Sequence, residues 1–374
     1  MNIAVNTRLL LADKLEGIGW FAYETLKRIT RAHPEHRFYF IFDRPYDTRF
    51  IFDNNVVPTV VYPPTRHPYL MDIYFEYTLP AKLERLSPDL FLSPDGWLPL
   101  KGDFPKVNVI HDLNFEHHPE WLKKSYRKYY LTHFPCFAKG ADRLATVSEF
   151  SKQDIANQYG IALDKIDVVY NGIHDAYFPK TEIEKQKTLQ QYTGGYPFFI
   201  FVGAIHKRKN LDHIFRAFDI LKKTDTHGIK LVVVGEKKWW KGDIAKAYAN
   251  MQYARDVIFT GHQSPDVLSH LLSASIALLY PSLFEGFGIP IIEAYQAETA
   301  VITSHTSAMP EVAGKAALLV DPYSPEDIAR AMKQISTDNN LRQECIQQGK
   351  IERTRFSWDF TAKKLWTCIE KVMR

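Results

Sequence analysis

Short apolar runs alternate with longer amphipathic stretches along almost the whole chain of 374 residues. The runs are typical of buried strands, and stretches such as 20–32 and 123–138 have the periodicity of helices. Strands that alternate with helices form parallel βαβ units, so the sequence predicts an α/β fold. The predicted strands of the first half are Ile3–Asn6, Phe38–Phe42, Val57–Tyr62, Leu90–Ser93, Val107–Ile110, Leu144–Val147 and Ile166–Tyr170.

The alternation stops once, in a polar segment from Pro179 to Gly195 that is rich in lysine and glutamine. We interpret this segment as a linker with a short helix. Because the chain length suits two domains of about 150 to 200 residues each, the pattern predicts two doubly wound domains, 1–180 and 195–357. The predicted strands of the second domain are Phe198–Val202, Lys230–Val234, Val257–Thr260, Ile276–Tyr280, Ala300–Thr303 and Ala317–Val320.

The composition narrows the class of function. The net charge is only +4 and charged residues make up 24% of the chain, so neither a nucleic-acid partner nor global disorder is indicated. The three cysteines are isolated and show no Cys/His ligand spacing, which favours neither a disulfide framework nor a structural metal. The first residues resemble a strand rather than a signal peptide, and no apolar run of about 18 residues occurs, so a cytoplasmic protein is expected.

Ligands of open α/β sheets bind beyond the carboxyl ends of the strands, so the loops there are the first places to look for a site. The loop after the first strand contains Gly17 and Gly19, ahead of a helix predicted to begin near Phe21. Two glycines let backbone amides approach an anion, and the helix dipole would add attraction. The spacing is not GxGxxG, and a tight turn without a ligand explains it equally well.

A second loop follows the first strand of the second domain, which ends at Gly203. Residues 204–210 carry four cationic or titratable side chains, among them Arg208 and Lys209. A run of charges is usually a solvated surface loop. Its position after a central strand favours instead a clamp for a diphosphate, because such cations form charge-assisted hydrogen bonds with phosphate oxygens.

The most specific loop follows the fourth predicted strand of the second domain. Gly286 and Gly288 expose backbone amides there, and Pro290 suits the first turn of a helix. Glu293 lies on that helix and can accept two hydroxyl hydrogen bonds, as ribose recognition requires, whereas Glu285 can face a different part of a ligand. An acid placed by the helix dipole would explain one glutamate, but not two on either side of a glycine-rich turn.

The segment from Glu285 to Glu293, with Gly-Phe-Gly-Ile-Pro between them, resembles the two-glutamate motif of the family 4 glycosyltransferases of GT-B fold. Further elements similar to motifs of that family are His111-Asp112-Leu113, Val147–Ser151, Asn171-Gly172-Ile173, Arg208-Lys209-Asn210 and Ser307–Gly314. The resemblance extends over the whole chain. It implies two Rossmann-like domains that face a central cleft, the first of which includes the C-terminal helix 358–374.

The resemblance also implies a donor site in the second domain. Arg208 and Lys209 would neutralise the diphosphate of a nucleotide-sugar, and Glu293 would hold the ribose hydroxyls. The transferred sugar would be held by Glu285 and by the backbone amides of Phe287, Gly288 and Ile289.

Further positions follow from the same resemblance. Gly19, with Gly17 beside it, would touch the phosphate from the side of the first domain, and Gly203 would border the donor. His111 would lie beside the sugar near the acceptor. His262, in the turn after the third strand of the second domain, would border the base.

One departure concerns the charge on the diphosphate. Many relatives carry an arginine directly after the glycine that ends the first strand of the second domain, where this chain has Ala204. The second positive charge then has to come from elsewhere, and Arg208 is a candidate. The sequence contains no Asp-x-Asp, so these cations and the helix start near Ile289 are expected to stabilise the leaving group without a metal or other cofactor. The family implies transfer with retention of anomeric configuration.

The donor and acceptor are not readable from single residues. The clamp and the glutamate segment look most like those of bacterial mannosyltransferases of surface-polysaccharide assembly, so GDP-mannose is the expected donor and a UDP-sugar the alternative. The acceptor would be a saccharide or a polyprenyl-linked glycan. A non-catalytic nucleotide-sugar sensor and an NAD-dependent dehydrogenase are the other classes considered. The intact Glu285, Glu293, Lys209 and His111 argue against the former, and the missing GxGxxG argues against the latter.

The stretch 121–130 mixes aromatic and cationic residues. One interpretation is an amphipathic helix that packs on the first domain. The other is peripheral contact with an anionic bilayer that carries a lipid-linked acceptor, which would bring the enzyme to the inner face of the membrane.

Overall fold

The structure is a computed structural model that describes residues 1–12, 15–237 and 240–373. The chain divides into two compact units: Met1–Gly172 with Ser357–Arg374 form the first, and Ile173–Phe356 form the second. Residues 173–194, which the sequence analysis divided between the first domain and a linker, therefore belong to the second unit. Arg374, the last residue of the predicted C-terminal helix, lies outside the described residues.

The first unit is built on one sheet. Its strands are β1 (Asn2–Asn6), β2 (Arg37–Phe42), β3 (Val56–Val60), β4 (Leu90–Ser93), β5 (Lys106–Val109), β6 (Arg143–Thr146) and β7 (Ile166–Val168). All neighbours are parallel, in the order β3-β2-β1-β4-β5-β6-β7. Each strand predicted for this half is confirmed, with ends that differ by no more than two residues. The runs are apolar because helices cover a parallel sheet on both faces.

Helices of the first unit connect these strands. They are α1 (Gly17–Ala32), α2 (Pro68–Ile73), α3 (Leu79–Leu86), α4 (Asn114–His117), α5 (Lys124–Lys139) and α6 (Glu149–Tyr159). The C-terminal helix (Trp358–Met373) packs against α1 and buries Leu365 and Ile369. Within the described residues, no helix is both long and apolar enough to cross a bilayer.

The prediction for the start of α1 was wrong. The helix begins at Gly17 rather than near Phe21, so Gly17 and Gly19 lie in its first turn and not in a loop ahead of it. A Cβ atom on Gly19 would lie 3.0 Å from the carbonyl oxygen of Leu9, so the missing side chain serves the close packing of the preceding segment.

The second unit repeats this architecture. Its strands are β8 (Phe198–Val202), β9 (Lys230–Val234), β10 (Val257–Gly261), β11 (Ala277–Tyr280), β12 (Ala300–Ser304) and β13 (Ala317–Val320). They are parallel in the order β10-β9-β8-β11-β12-β13, which is the order of a Rossmann sheet. All six predicted strands are confirmed. The chain runs from β8 through β9 to β10 at one edge of the sheet, and it then crosses back to form β11 on the other side of β8. The switch point, where the strand order reverses, therefore lies between β8 and β11.

The helices of the second unit are α7 (Glu182–Thr193), α8 (Leu211–Lys222), α9 (Asp243–Ala249), α10 (Pro265–Ala274), α11 (Ile289–Gln296), α12 (Met309–Ala313), α13 (Pro325–Thr337) and α14 (Asn339–Glu352). The predicted linker is mostly α7. A capping box between Thr181 and Glu184 starts it and Gly194, in a left-handed conformation, ends it. Because α7 packs on α10, it is part of the second unit rather than a connection.

Candidate active site

The switch point of the second unit brings two loops side by side. The loop after β8 passes Gly203 and forms a short 3-10 turn, Lys207–Lys209, and the loop after β11 contains Glu285. The amide of Leu283 donates to the carbonyl of Arg208 over 2.8 Å, which ties the two loops together. This is the position at which open α/β sheets bind ligands.

Two glycines, Gly203 and Gly235, let the segments after β8 and β9 approach each other closely at the carboxyl ends of these strands. Gly235, after β9, has a φ of 152°, and a Cβ atom there would lie 2.0 Å from the carbonyl oxygen of Gly203. The aliphatic chain of Lys209 passes over Gly203, where an added Cβ would meet the lysine Cε at 3.6 Å. Gly203 therefore supports the clamp side chain within the unit.

Glu285 is the centre of a three-residue ion cluster. One carboxylate oxygen is 2.7 Å from the Nζ of Lys209, and the other accepts a hydrogen bond from the guanidinium of Arg208. The side chain of Glu285 is only 7% exposed, against 11% for Lys209 and 25% for Arg208. Burial opposes ionisation of Glu285, but the charges of Arg208 and Lys209 outweigh it and hold the pKa of the carboxyl below its ordinary value.

Tyr280, the last residue of β11, also contacts this cluster. Its hydroxyl contacts the Nζ of Lys209, which also lies 4.6 Å from the centre of the tyrosine ring. Burial, together with the charge of Glu285, raises the pKa of the Tyr280 phenol well above its ordinary value, so the phenol stays protonated. Tyr280 was not predicted as a site residue, because an aromatic residue at the end of a buried strand usually belongs to the core.

This cluster adds a mutual contact to the tasks predicted from the sequence, which stay predictions. The resemblance gave the diphosphate to Arg208 and Lys209 and the sugar to Glu285, as separate contacts. The structure pairs both cations with that glutamate, so two cations and one carboxylate leave a formal charge of +1. Each cation thus has an anionic partner when no ligand is present, and the remaining charge of +1 favours the binding of an anion.

The start of α11 lies next to the cluster. Gly288 is the N-cap with a φ of 99°, and a Cβ there would lie 2.7 Å from the Cε of Met309. Pro290 occupies the first turn, as predicted. Phe287 is buried against Phe356, with ring centres 5.5 Å apart. The positive end of the α11 dipole thus points at the loop that carries Glu285.

Glu293 lies on α11 with Tyr177 as its partner. The phenol of Tyr177, itself 4% exposed, hydrogen-bonds with the carboxyl group. Burial raises the pKa of Glu293 to about 7, and the contacts with Tyr177 and Lys209 offset this only in part. The sequence predicted the place of Glu293 on the helix but not Tyr177, which precedes α7 by several residues and shows no signal of its own.

His262 follows β10 and is exposed on the second unit. Its predicted place beside the base is a property of a ligand complex and stays a prediction. The remaining predicted site residues belong to the first unit. Gly17 and Gly19 lie in the first turn of α1, and His111 follows β5.

His111 follows β5 in the first unit. Its Nε2 lies 2.9 Å from the carbonyl oxygen of Pro94, and its ring meets that of Phe21 edge-on at 4.9 Å. A carbonyl can only accept, so Nε2 carries the proton and Nδ1 is left as an acceptor. Burial lowers the pKa of His111 below its ordinary value, so the ring is neutral at pH 7. His111 is therefore built to accept rather than to donate a hydrogen bond at Nδ1.

A buried polar network at the switch point of the first unit was not predicted. Arg8, after β1, pairs with Asp95, after β4, at 2.7 Å, and their side chains are 7% and 2% exposed. Asn6 donates to Asp95 over 2.8 Å, and Ser93 donates to it over 3.0 Å. Arg8 also lies 4.6 Å above the ring of Trp97. The network orders the ends of β1 and β4. The carbonyl of Pro94, which accepts the hydrogen bond from His111, lies directly beside it in the chain.

Two family descriptions match the chain. Glycosyltransferase Family 4 matches residues 15–177, and Glycosyl transferases group 1 matches residues 182–352. The chain belongs to the family 4 glycosyltransferases. The fold is that of the GT-B enzymes, and the class of enzyme predicted from the sequence is confirmed.

Individual relatives of this glycosyltransferase are distant. O-antigen chain mannosyltransferase B of Escherichia coli is 25% identical over 271 residues, which are 72% of this chain and 71% of that protein. O-antigen chain mannosyltransferase RfbU of Salmonella typhimurium is 29% identical over 228 residues, 61% of this chain and 60% of that protein, so this match spans less than two thirds of the relative.

A solved structure shows the same fold over its full length. Anabaena Alr3699/HepE, crystallised in complex with UDP and glucose, superposes with a TM-score of 0.76 at 15% identity, and the alignment covers 98% of this chain and 99% of that one. At this identity the likeness concerns the fold alone.

Proposed function

We propose that this glycosyltransferase moves mannose from GDP-mannose to a saccharide or polyprenyl-linked acceptor in surface-polysaccharide assembly, with retention and without a metal. The observation that carries the donor part is the cluster of Arg208, Lys209 and Glu285 at the switch point, beside the start of α11. The choice of mannose rests on the names of the two O-antigen relatives. A UDP-sugar is the second candidate, favoured by the UDP bound to Alr3699/HepE.

The transfer breaks the bond between the anomeric carbon and the diphosphate oxygen and forms a bond from that carbon to an acceptor hydroxyl. The acceptor proton is released, and the nucleoside diphosphate departs with an additional negative charge. Once Arg208 and Lys209 have turned to the bound diphosphate, they and the positive end of α11 are placed to stabilise that charge without further reorganisation during the reaction, which is the usual source of the largest catalytic effect.

Glu285 has two tasks in this proposal. Without a donor it neutralises the buried clamp, and with a donor it accepts hydroxyl hydrogen bonds from the sugar while the cations turn to the diphosphate. The exchange of partners costs little, because each cation replaces one anionic oxygen by another. Ala204 needs no compensation from a distant side chain, since Arg208 and Lys209 together supply two positive charges at the loop.

Glu293 gives donor binding a dependence on pH. Only the ionised carboxylate can accept hydrogen bonds from both ribose hydroxyls, and its pKa of about 7 puts the change within the working range. Donor affinity should therefore rise by about tenfold between about pH 6 and pH 8. Glu293→Gln, measured by calorimetry with the same nucleotide-sugar, should show no such rise.

Folding stability should respond to the same carboxyl with the opposite sign. The folded-state pKa lies above the ordinary value of 4.5, so the folded protein binds the proton more tightly than the unfolded chain. Stability then falls as pH rises from 4.5 towards about 7. Glu293→Gln should raise the midpoint of thermal unfolding at about pH 8 and leave it nearly unchanged at about pH 4. An equal shift at both values would contradict the assignment.

A donor panel tests the proposed reaction. Nucleotide release from GDP-mannose, UDP-glucose and related donors should be fastest with GDP-mannose and should not decrease in excess chelator. Preference for a UDP-sugar would replace the mannose assignment. Binding of donors without any release, with a range of glycan and polyprenyl-linked acceptors, would favour the non-catalytic sensor. Mass spectrometry and NMR of the product would report the configuration of the new linkage.

Contact with an acidic membrane is the proposed reason for the basic surface of α5. Lys123, at the N-cap, and Lys124 and Lys128 on the helix are exposed, whereas Tyr129 is buried, so the helix both packs on its unit and presents basic side chains to solvent. Tyr69, 67% exposed, lies on α2, which packs against α5. Each lysine near an anionic surface contributes about 1 kcal/mol.

Flotation with vesicles tests this contact. The wild type should float with vesicles that contain anionic lipid at low salt and much less at high salt. Replacing Lys123, Lys124 and Lys128 by glutamate should abolish flotation without loss of nucleotide release towards a water-soluble acceptor. Absence of wild-type flotation at low salt would end the proposal.

A further inference from the structure

Three side chains with metal-ligand chemistry converge at the turn between α1 and β2. The Nδ1 of His33 lies 3.5 Å from the Oε1 of Glu35, and the Nε2 of His36 lies 3.4 Å from the same oxygen. All three donor atoms lie within 4.8 Å of one another. The sequence predicts no metal site here, because a His-Pro-Glu-His turn has none of the usual cysteine and histidine spacings of zinc sites.

The two imidazoles are held by a rigid support. The ring of His33 stacks on that of Trp366, from the C-terminal helix, with centres 3.7 Å apart, and the ring of His36 stacks on it at 5.3 Å. The two histidine planes differ by only 8°. Lone pairs of imidazole lie in the ring plane, so stacking against one surface directs the donor nitrogens along that surface towards Glu35.

The backbone of the turn is fixed as well. The amide of His36 donates to the carbonyl of His33 over 3.2 Å, and the side-chain amide of Asn55 donates to that carbonyl over 3.1 Å. Side chains that are already ordered lose little freedom when they bind an ion, so less of the binding energy is spent on ordering them.

We infer that His33, Glu35 and His36 bind one divalent transition-metal ion of the zinc type. Two imidazole nitrogens and one carboxylate oxygen suit Zn²⁺, with a water molecule as a fourth ligand, and Co²⁺ or Ni²⁺ as substitutes. Mg²⁺ and Ca²⁺ are disfavoured because they prefer sets of oxygen ligands. The other ring nitrogen of His36, Nδ1, faces the amino group of Met1 at 3.2 Å, which leaves Nε2 for the ion. When Nε2 binds the ion, Nδ1 carries the proton and donates it to that amino group in its neutral form.

The position shows what such an ion does. His36 directly precedes β2, at the amino ends of the strands, whereas the loops assigned to the reaction follow the carboxyl ends. The ion therefore takes no part in sugar transfer. It joins the end of α1 to the start of β2 over the C-terminal helix, and it stabilises the folded first unit by mass action.

Calorimetry of the full chain tests the site with Zn²⁺ and Mg²⁺ as the probes. The wild type should bind one equivalent of Zn²⁺ and no Mg²⁺, with a rise in the unfolding temperature. Glu35→Gln alters an exposed side chain, 59% accessible, and should weaken Zn²⁺ binding at least about tenfold without harm to the fold. The pair H33Q and H36Q should abolish binding. His227→Gln, at an exposed turn of the second unit, is the matched control and should bind like the wild type.

Bound Co²⁺ provides an independent signature. It should give the intense visible absorption of a four-coordinate site, which E35Q and the histidine pair should reduce and H227Q should not. Failure of the wild type to bind Zn²⁺, or undiminished binding by H33Q and H36Q together, would overturn the inference. Nucleotide release in excess chelator is measured separately, so the site and the metal-independent reaction succeed or fail independently.

Discussion

Lys209→Ala should lower the turnover of sugar transfer by about a hundred- to a thousandfold, the loss that removal of one preorganised charge at a leaving group usually causes. The Nζ of Lys209 lies 2.7 Å from Glu285 and contacts the hydroxyl of Tyr280, so it is positioned before a donor binds. Its removal also leaves Glu285 with Arg208 as its remaining cation in this cluster. Initial rates with saturating donor measure the effect.

Lys207→Ala is the matched control, since it removes the same charge two positions earlier in the same turn. Lys207 is 56% exposed and pairs with Asp243 at 3.3 Å on the surface, so its replacement should change turnover less than about twofold. Circular dichroism should be unchanged for both variants. Equal and small losses for Lys209→Ala and Lys207→Ala would show that the leaving group is stabilised elsewhere.

Asp95→Ala should destabilise the first unit by about 3–5 kcal/mol, because it leaves the guanidinium of Arg8 buried without its anionic partner. The oxygen of Asp95 that accepts from Asn6 and Ser93 is lost at the same time. Two units need not unfold together, so hydrogen exchange of peptides from β1 and β4 is the appropriate measurement.

Two further variants distinguish the effect of an unpaired buried charge from a general loss of stability. Replacing Arg8 and Asp95 together by methionine and leucine should cost less than Asp95→Ala, since no unpaired charge stays behind. Glu182→Gln breaks the exposed pair with Lys185 and should cost less than about 1 kcal/mol. If Asp95→Ala were no worse than Glu182→Gln, the pair would not support the strand ends beside His111.

Much of this fold could be predicted from the sequence, because parallel strands covered by helices are continuous apolar runs whose position depends little on distant residues. All thirteen strands were located in this way. The start of α1 could not be located, since Gly17 and Gly19 are poor helix formers, and the close approach of the Leu9 carbonyl to Gly19 is a tertiary contact that spacing does not encode. A short helix was predicted within 179–195, but its membership of the second unit could not be, because that depends on the packing of α7 on α10.

The candidate site could be predicted as a set of residues but not as an arrangement. The sequence indicated Arg208, Lys209 and Glu285, yet strand order decides that the loops after β8 and β11 are neighbours. The ion cluster follows from that adjacency and from side-chain conformations, neither of which is encoded by spacing. Tyr177 likewise reaches Glu293 from a segment without any motif.

Nucleotide binding tests the central claim, that Arg208 and Lys209, which Glu285 holds in place before a donor binds, form the diphosphate site of the donor. Calorimetry compares a nucleoside diphosphate with the corresponding nucleoside, on the wild type and on Lys209→Ala. The wild type should bind the diphosphate at least about tenfold more tightly than the nucleoside. This ratio corresponds to about 1.4 kcal/mol or more of charge-assisted binding to the phosphates. Lys209→Ala should lose most of that preference and bind the nucleoside unchanged. An undiminished preference in Lys209→Ala would contradict the claim.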